Sequence, residues 1–216
     1  PLTVSQKAFL AAGSAVLGVL NPHRGDMIAT LGETTGEFAL SRLKEKMLLA
    51  PEGPDILREK PRIREYTIDF TTLHKLPATS FGGAYYQFMN SRGYSPDERT
   101  PVRFINDPEL AYVMQRYREV HDLWHVLVGL PTSVLGEVAQ KWFEFLQTGL
   151  PMCLLSGLVG PVQLSFSEQA QLAQNYIPWA IRCHQSSVFL MGVYFERYLF
   201  EDLETVRKRW GIVTSQ

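Results

Sequence analysis

Residue types able to hold a metal ion stand together in His121-Asp122-Leu123-Trp124-His125. Histidines at i and i+4 of a helix sit about 40° apart around its axis and point the same way, and Asp122 lies about 100° from His121, still on one side. All three can converge on one ion. Glu137 follows twelve residues after His125, beyond Gly129 and Pro131. A short turn there folds two helices antiparallel and brings Glu137 level with His125. Two neutral imidazoles and two carboxylates, His121, Asp122, His125 and Glu137, neutralise a divalent cation, tolerate burial and leave a position for water or substrate. The related motif with Glu directly after the first His uses that Glu as a general base. Asp122 is one methylene shorter and suits ligation instead. Zn2+ matches the donors, and Mn2+, Fe2+ and Mg2+ are compatible with them. The competing reading of the same residues is a pair of hydrogen-bonded core histidines beside a solvated aspartate.

The elements that must position these groups read as helices, giving an all-α, single-domain architecture over 1–216 with the metal site between two adjacent helices. Asn106-Asp107-Pro108-Glu109 is a strong start signal: Asp107 caps, Pro108 fits the first helical position, and Glu109 meets the positive end of the dipole. The helix runs to about Val128, with an apolar stripe of Leu110, Val113, Met114, Tyr117, Val120, Trp124 and Leu127, and Gly129 stops it. Pro131-Thr132-Ser133 restarts a helix to about Thr148. The patterns also predict helices from Thr3 or Ser5 to Leu20 with Asn21-Pro22 as the stop, over Glu37–Leu49 and over Ala84–Met89. Two more are predicted at about 167–183, bent near Pro178, and at about 187–209. Residues 60–80 read as an extended crossing, 91–107 as a loop, and Gly32 and Gly36 as turn glycines.

Composition narrows the function classes. The 216 residues carry 21 basic and 22 acidic side chains, a formal charge of −1, so no basic excess exists to neutralise phosphates and nucleic acid is not the expected partner. A 45% hydrophobic content is ordinary for a globular chain. Cys153 and Cys183 make no disulfide framework and read as small buried hydrophobes in an intracellular protein. The apolar runs Ala8–Leu20 and Leu150–Leu164 are broken by Gly, Ser or Pro and are too short to span a bilayer, though either suits a membrane surface or an apolar cavity. The start at Pro1 leads us to expect a removed N-terminal segment.

His-Asp-x-x-His, eleven residues, then Glu resembles the family of the fourth coenzyme Q (ubiquinone) biosynthesis protein. The surroundings carry the resemblance further: Leu31-Gly32-Glu33-Thr34-Thr35-Gly36, Pro101-x-Arg103-Phe104, Tyr112 through Val120, Lys141-Trp142-Phe143-Glu144, and Gln147 through Cys153. It covers about Leu2 to Ile212 and looks like an animal-type mature form lacking its mitochondrial presequence. The resemblance implies an all-α peripheral protein on the matrix side of the mitochondrial inner membrane, working with the other coenzyme Q biosynthesis proteins. It also implies a metal-dependent C1 decarboxylase of 4-hydroxy-3-methoxy-5-polyprenylbenzoate, with C1 hydroxylation coupled to that step in some accounts.

Such chemistry needs charge stabilisation and a proton donor beside the leaving carboxylate. Arg118, three residues before His121, is expected to clamp a carboxylate. Lys141 and Glu144 lie four and seven residues after Glu137 on the same helix face. They are expected to orient substrate and to act as acid, or else to form an ordinary ion-pair row. Tyr117 reads as core, Glu119 as a solvated or inter-helix partner, and His23, His74 and His184 as incidental. Leu150–Leu164, the first helix and Phe189–Phe200 are the apolar stretches suited to a prenyl tail, or to a homodimer interface. Two rival readings stand beside the decarboxylase: a non-catalytic prenyl-lipid-binding scaffold with a structural metal, and a metal-dependent hydrolase.

Overall fold

The computed structural model describes residues 3–20, 25–99 and 101–215. Its centre is a helix that water scarcely reaches. This helix, α7 (Pro108–Val128), follows α1 (Val4–Leu20), α2 (Gly25–Thr35), α3 (Glu37–Leu49), α4 (Gly53–Glu59), α5 (Phe70–Leu73) and α6 (Phe81–Asn90). After it come α8 (Val134–Thr148), α9 (Pro151–Val159), α10 (Phe166–Gln171), α11 (Ile177–Ser186) and α12 (Leu203–Arg209). Short 3-10 turns link several of these, and among the described residues the only β pairing is an isolated Ser80–Asp202 bridge. No described helix is long and apolar enough to cross a membrane.

The start and stop chemistry of α7 is as the sequence predicts. Asp107 accepts from the Glu109 and Leu110 N–H groups, and Gly129 closes the helix in the left-handed region at φ 73°. The burial differs from the single apolar stripe. Eighteen of its twenty-one residues are buried, so it packs on every face, against α3 and α6 among others. Apart from Glu109 in its exposed first turn, its charged residues are buried too, and each is matched from another element. Arg116 is bidentate to Glu196 at 2.5 and 2.8 Å, Arg118 meets Glu33 of α2 at 2.8 Å, and Asp122 pairs with Arg99. Glu119 is not solvated. It is fully buried and accepts from Arg62, Arg64, the Ile63 N–H and Gln115. Donors from Arg62, Ile63 and Arg64 on this one carboxylate pin the 62–64 segment across α7, which gives the extended crossing its path.

Several elements depart from the sequence reading. Residues 25–35 and 53–59 are helical, so Gly32 is a helix residue rather than a turn glycine. A Cβ there would lie 2.2 Å from Met152 Sδ, so Gly32 lets α2 approach α9 closely. Phe38 of α3 faces solvent, while Ala39, Leu40, Leu43 and Met47 form the buried stripe. The span 187–209 is not one helix. It runs as 3-10 turns at Leu190–Gly192 and Phe195–Arg197 before α12 begins at Leu203. Its buried set, Leu190, Met191, Val193, Phe195 and Leu199, would point all around a helix, so only an irregular path buries it against one core. The bend near Pro178 is a π turn over Leu172–Tyr176 between α10 and α11, which absorbs the missing proline N–H. Cys153 and Cys183 are both buried and unbonded to each other. The expected Asn21-Pro22 stop and His23 lie outside the described residues.

Glu119→Ala strips two arginines of a buried acceptor. It should cost on the order of 3 kcal/mol, lowering Tm by roughly 6–12 °C in a thermal melt followed by circular dichroism. A melt unchanged to within 1–2 °C (about 0.5 kcal/mol) would contradict the role given to this carboxylate.

Candidate metal centre

Two capping devices bring the end of α7 to the start of α8. Gly129 turns the chain, its N–H bonding to the His125 carbonyl at 2.9 Å, and Ser133 caps α8 through the Gly136 N–H. Gly136 is needed there, since a Cβ would stand 2.1 Å from the Pro131 carbonyl oxygen. The helices run antiparallel, as successive contacts record: His125 meets Glu137, while Tyr117 meets Glu144. Trp124 and Phe143 fill the space between them, ring centroids 5.9 Å apart.

His121, His125 and Glu137 each offer a ligand atom within 4.8 Å of the other two. His125 Nε2 lies 3.1 Å from Glu137 Oε1, and His121 Nε2 lies 3.6 Å from Glu137 Oε2. Both rings are held through Nδ1. His121 Nδ1 meets Glu144 Oε1 at 2.5 Å, and His125 Nδ1 meets the Leu130 carbonyl at 3.1 Å. Both partners only accept, so each Nδ1 carries a proton, which leaves Nε2 as the nitrogen each ring can present to a cation. Phe88 of α6 stacks on His125, centroids 5.5 Å apart and planes 26° from parallel, fixing the ring plane.

The donors fit a divalent cation. His125 Nε2 is buried and makes no hydrogen bond, despite its closeness to Glu137. An orphaned imidazole nitrogen aimed at a second imidazole and a carboxylate is what a transition-metal site presents. His121 and Glu137 open onto a cavity of about 350 Å3 whose wall adds Met89, Tyr94, Ser95, Glu98, Arg99 and Asp122, and His125 sits buried behind them. Burial raises the Glu137 carboxyl, but protonated imidazoles facing it outweigh this and hold the group well below the usual carboxylate range, so a cation takes its place there by displacing protons.

Asp122 lies on this cavity without joining the converging trio. Its Oδ2 takes the Arg99 guanidinium, through Nε at 3.2 Å and through Nη2. The i, i+1 offset that kept Asp122 on one side of the helix also turns it 100° away from His121, within reach of the 95–99 segment.

The three expected catalytic side chains need correcting. Arg118 is turned to Glu33, whose other oxygen accepts the Arg103 and Phe104 N–H groups, so Arg118 anchors α2 and the following loop. Glu144 is fully buried behind His121. It accepts from His121, from Tyr117 at 2.5 Å, from Lys141 at 2.6 Å and from Gln140 at 3.2 Å. Burial raises the Glu144 carboxyl, but Lys141 and His121 more than reverse this and keep it ionised. Lys141 is likewise held charged: burial lowers it and Glu144 raises it further. Tyr117 joins this network rather than acting as plain core, and burial pushes the neighbouring Cys153 thiol up to about 12. None of Arg118, Lys141 and Glu144 lines the cavity. Helical spacing placed all three near the donors in register but could not say which side of the histidines they occupy. Arg99 and Tyr94 are cavity residues that sequence reasoning missed. Both belong to the aperiodic 91–107 loop, where no spacing argument applies.

Over residues 1–216 the sequence matches the family model described as coenzyme Q (ubiquinone) biosynthesis protein Coq4. It is 49% identical over 212 residues to a Bos taurus protein named ubiquinone biosynthesis protein COQ4 homolog, mitochondrial, covering 98% of this chain and 80% of that one. Proteins of the same name from Bombyx mori and Homo sapiens are 50% and 46% identical over 97% and 98% of this chain, and 81% and 80% of theirs. The crystal structure of a Nostoc punctiforme protein, provisionally named for ubiquinone biosynthesis, shares the fold. Its TM-score is 0.72 over 93% of this chain and 96% of that chain, at 20% identity.

His125→Ala and Glu137→Ala should each lose stoichiometric divalent metal, measured by elemental analysis, with far-ultraviolet dichroism retained. Undiminished metal in both would exclude this donor set. Glu144→Gln leaves the three donors in place but weakens the hold on His121, and a loss of roughly 10–100-fold in metal affinity is expected from chelator competition.

Proposed function

Because the chain belongs to the coenzyme Q (ubiquinone) biosynthesis protein Coq4 family, we propose that it removes the C1 carboxylate of a prenylated 4-hydroxybenzoate in ubiquinone synthesis. The substrate in this reading is 4-hydroxy-3-methoxy-5-polyprenylbenzoate. The observation that carries it is the donor trio His121, His125 and Glu137, two of which, His121 and Glu137, line an open cavity. Three protein donors, rather than a closed set of four, leave a position for an exchangeable ligand, which favours an enzyme over a scaffold with a structural metal. Two imidazoles and a carboxylate suit zinc among the divalent cations.

When bound, a divalent cation supplies positive charge against the negative charge that develops on the substrate. The chain's own groups do the rest. Glu144 and the Leu130 carbonyl hold the two imidazoles in one tautomer. Tyr117 and Lys141 keep Glu144 fixed and ionised. The bond between C1 and the carboxyl carbon breaks, its electron pair stays on the ring, and C1 takes up a proton as carbon dioxide leaves. The Tyr94 hydroxyl on the cavity wall is the proton donor in this reading.

The same reading gives the protein a mitochondrial membrane surface, the matrix side of the inner membrane, on which to meet a lipid-tailed substrate. Its other partners are the remaining coenzyme Q biosynthesis proteins and a second copy of the chain. Exposed Phe9, Leu158, Val162 and Phe166 support this, because they lie on or beside α1, α9 and α10, and α2 links α1 to α9 by packing on both. Such a set is unfavourable in water and stable in a headgroup layer.

Metal-loaded protein incubated with a prenylated 4-hydroxybenzoate should release carbon dioxide, and a chelator should stop it. Product analysis reads whether C1 carries hydrogen or hydroxyl. No release from protein shown to hold metal would exclude the decarboxylase reading. Val162→Glu with Phe166→Glu should weaken co-sedimentation with anionic vesicles at least several-fold without lowering metal content. Unchanged sedimentation would remove these residues from the membrane face.

A further inference from the structure

We infer that Arg99 receives the substrate's carboxylate at this site, an inference that rests on the decarboxylase reading above. Among the described residues it is the one cationic side chain that lines the cavity beside His121, Asp122 and Glu137. The two basic residues that sequence spacing favoured for this task are spent elsewhere, Arg118 on Glu33 and Lys141 on Glu144.

The Arg99–Asp122 pair is lopsided. Asp122 is 4% exposed, while the Arg99 side chain keeps 34% of its surface. Nε and Nη2 both go to the single oxygen Oδ2, and no described residue accepts from Nη1. A guanidinium is a planar fork with five donors suited to a carboxylate, so a group engaged along one edge retains donors for a second anion. Asp122 thus orients Arg99 without saturating it.

The backbone that carries Arg99 is held in advance. Arg64 donates to the carbonyls of Pro96 at 3.5 Å, Asp97 at 2.9 Å and Arg99 at 3.3 Å, and its Nε is fixed by buried Glu119 at 3.2 Å. Ser95 caps the 3-10 turn over Pro96–Glu98. A loop tied to the central helix in this way presents its arginine in a set place, which is what recognition of a small anion requires.

The charge count leads to the same assignment. Asp122 and Glu137 bring two negative charges to the cavity, Arg99 brings one positive charge, and a divalent cation would bring two more. The balance is one positive charge, which one anionic substrate group neutralises. Glu98, exposed at the rim, is screened by water and does not alter the interior balance. The Glu144–Lys141 pair behind His121 is neutral by itself.

The test compares two ligands that differ only in the carboxylate: 3-geranyl-4-hydroxybenzoate and 2-geranylphenol. Their affinities are measured by calorimetry on full-length wild type, Arg99→Gln and Arg99→Lys, with metal content determined in the same preparations. Wild type should prefer the benzoate. Arg99→Gln should lose tenfold or more in benzoate affinity and less than twofold for the phenol, with metal retained. Arg99→Lys should fall between. Unchanged benzoate affinity in Arg99→Gln would overturn the assignment, and so would an equal loss for both ligands, which marks a structural role. A wild type that binds the phenol as tightly as the benzoate would overturn the decarboxylase reading itself, before the question of Arg99 arises.

Discussion

The structure depends on one constraint: a central helix buried on all sides whose charged residues, beyond its first turn, cannot reach water. Each must find its counter-charge on another element, or the fold would carry uncompensated charge at several kcal/mol apiece. The α7 pairs therefore dictate what may approach which part of the helix. Glu196 comes to Arg116, Glu33 to Arg118, the 62–64 segment to Glu119, and Arg99 to Asp122. Apolar packing by Trp124, Tyr117, Phe143 and Phe81 makes the core dense. The ion pairs give it a register, because each carboxylate accepts in one place only.

His121 and His125 are the point where this compensation is met differently. On the Nδ1 side they follow the common rule, with Glu144 and the Leu130 carbonyl as partners. On the Nε2 side both meet Glu137, His121 also lines an open cavity, and His125 Nε2 goes without a hydrogen bond. A buried imidazole nitrogen without a hydrogen bond, aimed at a second imidazole and a carboxylate, suits a ligand from outside. The buried network of Tyr117, Lys141, Gln140 and Glu144 behind His121 is the support that keeps the imidazole aimed. Lys141 and Glu144, which look catalytic by helical spacing, serve here to make the donors rigid.

Membership of the coenzyme Q (ubiquinone) biosynthesis protein Coq4 family and the geometry bear on different questions. The family gives the setting in which the chain works. The geometry separates two classes of buried ion pair. Arg118–Glu33 and Lys141–Glu144 are closed structural pairs, whereas Arg99–Asp122 is half open to the cavity. That difference in exposure, rather than nearness in sequence to the histidines, is what marks a group able to touch a ligand.

Local chemistry was legible in the sequence. Asp107-Pro108 and Gly129 bound α7, Ser133 starts α8, and the i, i+4 histidines share a face because helix geometry allows nothing else. The spacing across the Gly129 turn was enough to set Glu137 beside His125, since few residues separate the two and a short turn has few paths. Tertiary packing decided what lies between distant segments. Whether α7 is half-buried or wholly buried depends on neighbours that no periodicity encodes. So do the irregular course of 187–209, whose buried residues follow a core surface rather than a helix face, and the choice of Arg99 for the cavity wall. Arg99 reaches its place because Glu119 holds Arg64, and Arg64 holds the loop: three contacts across 23 to 55 residues of chain, with no local signature at any of the positions they join.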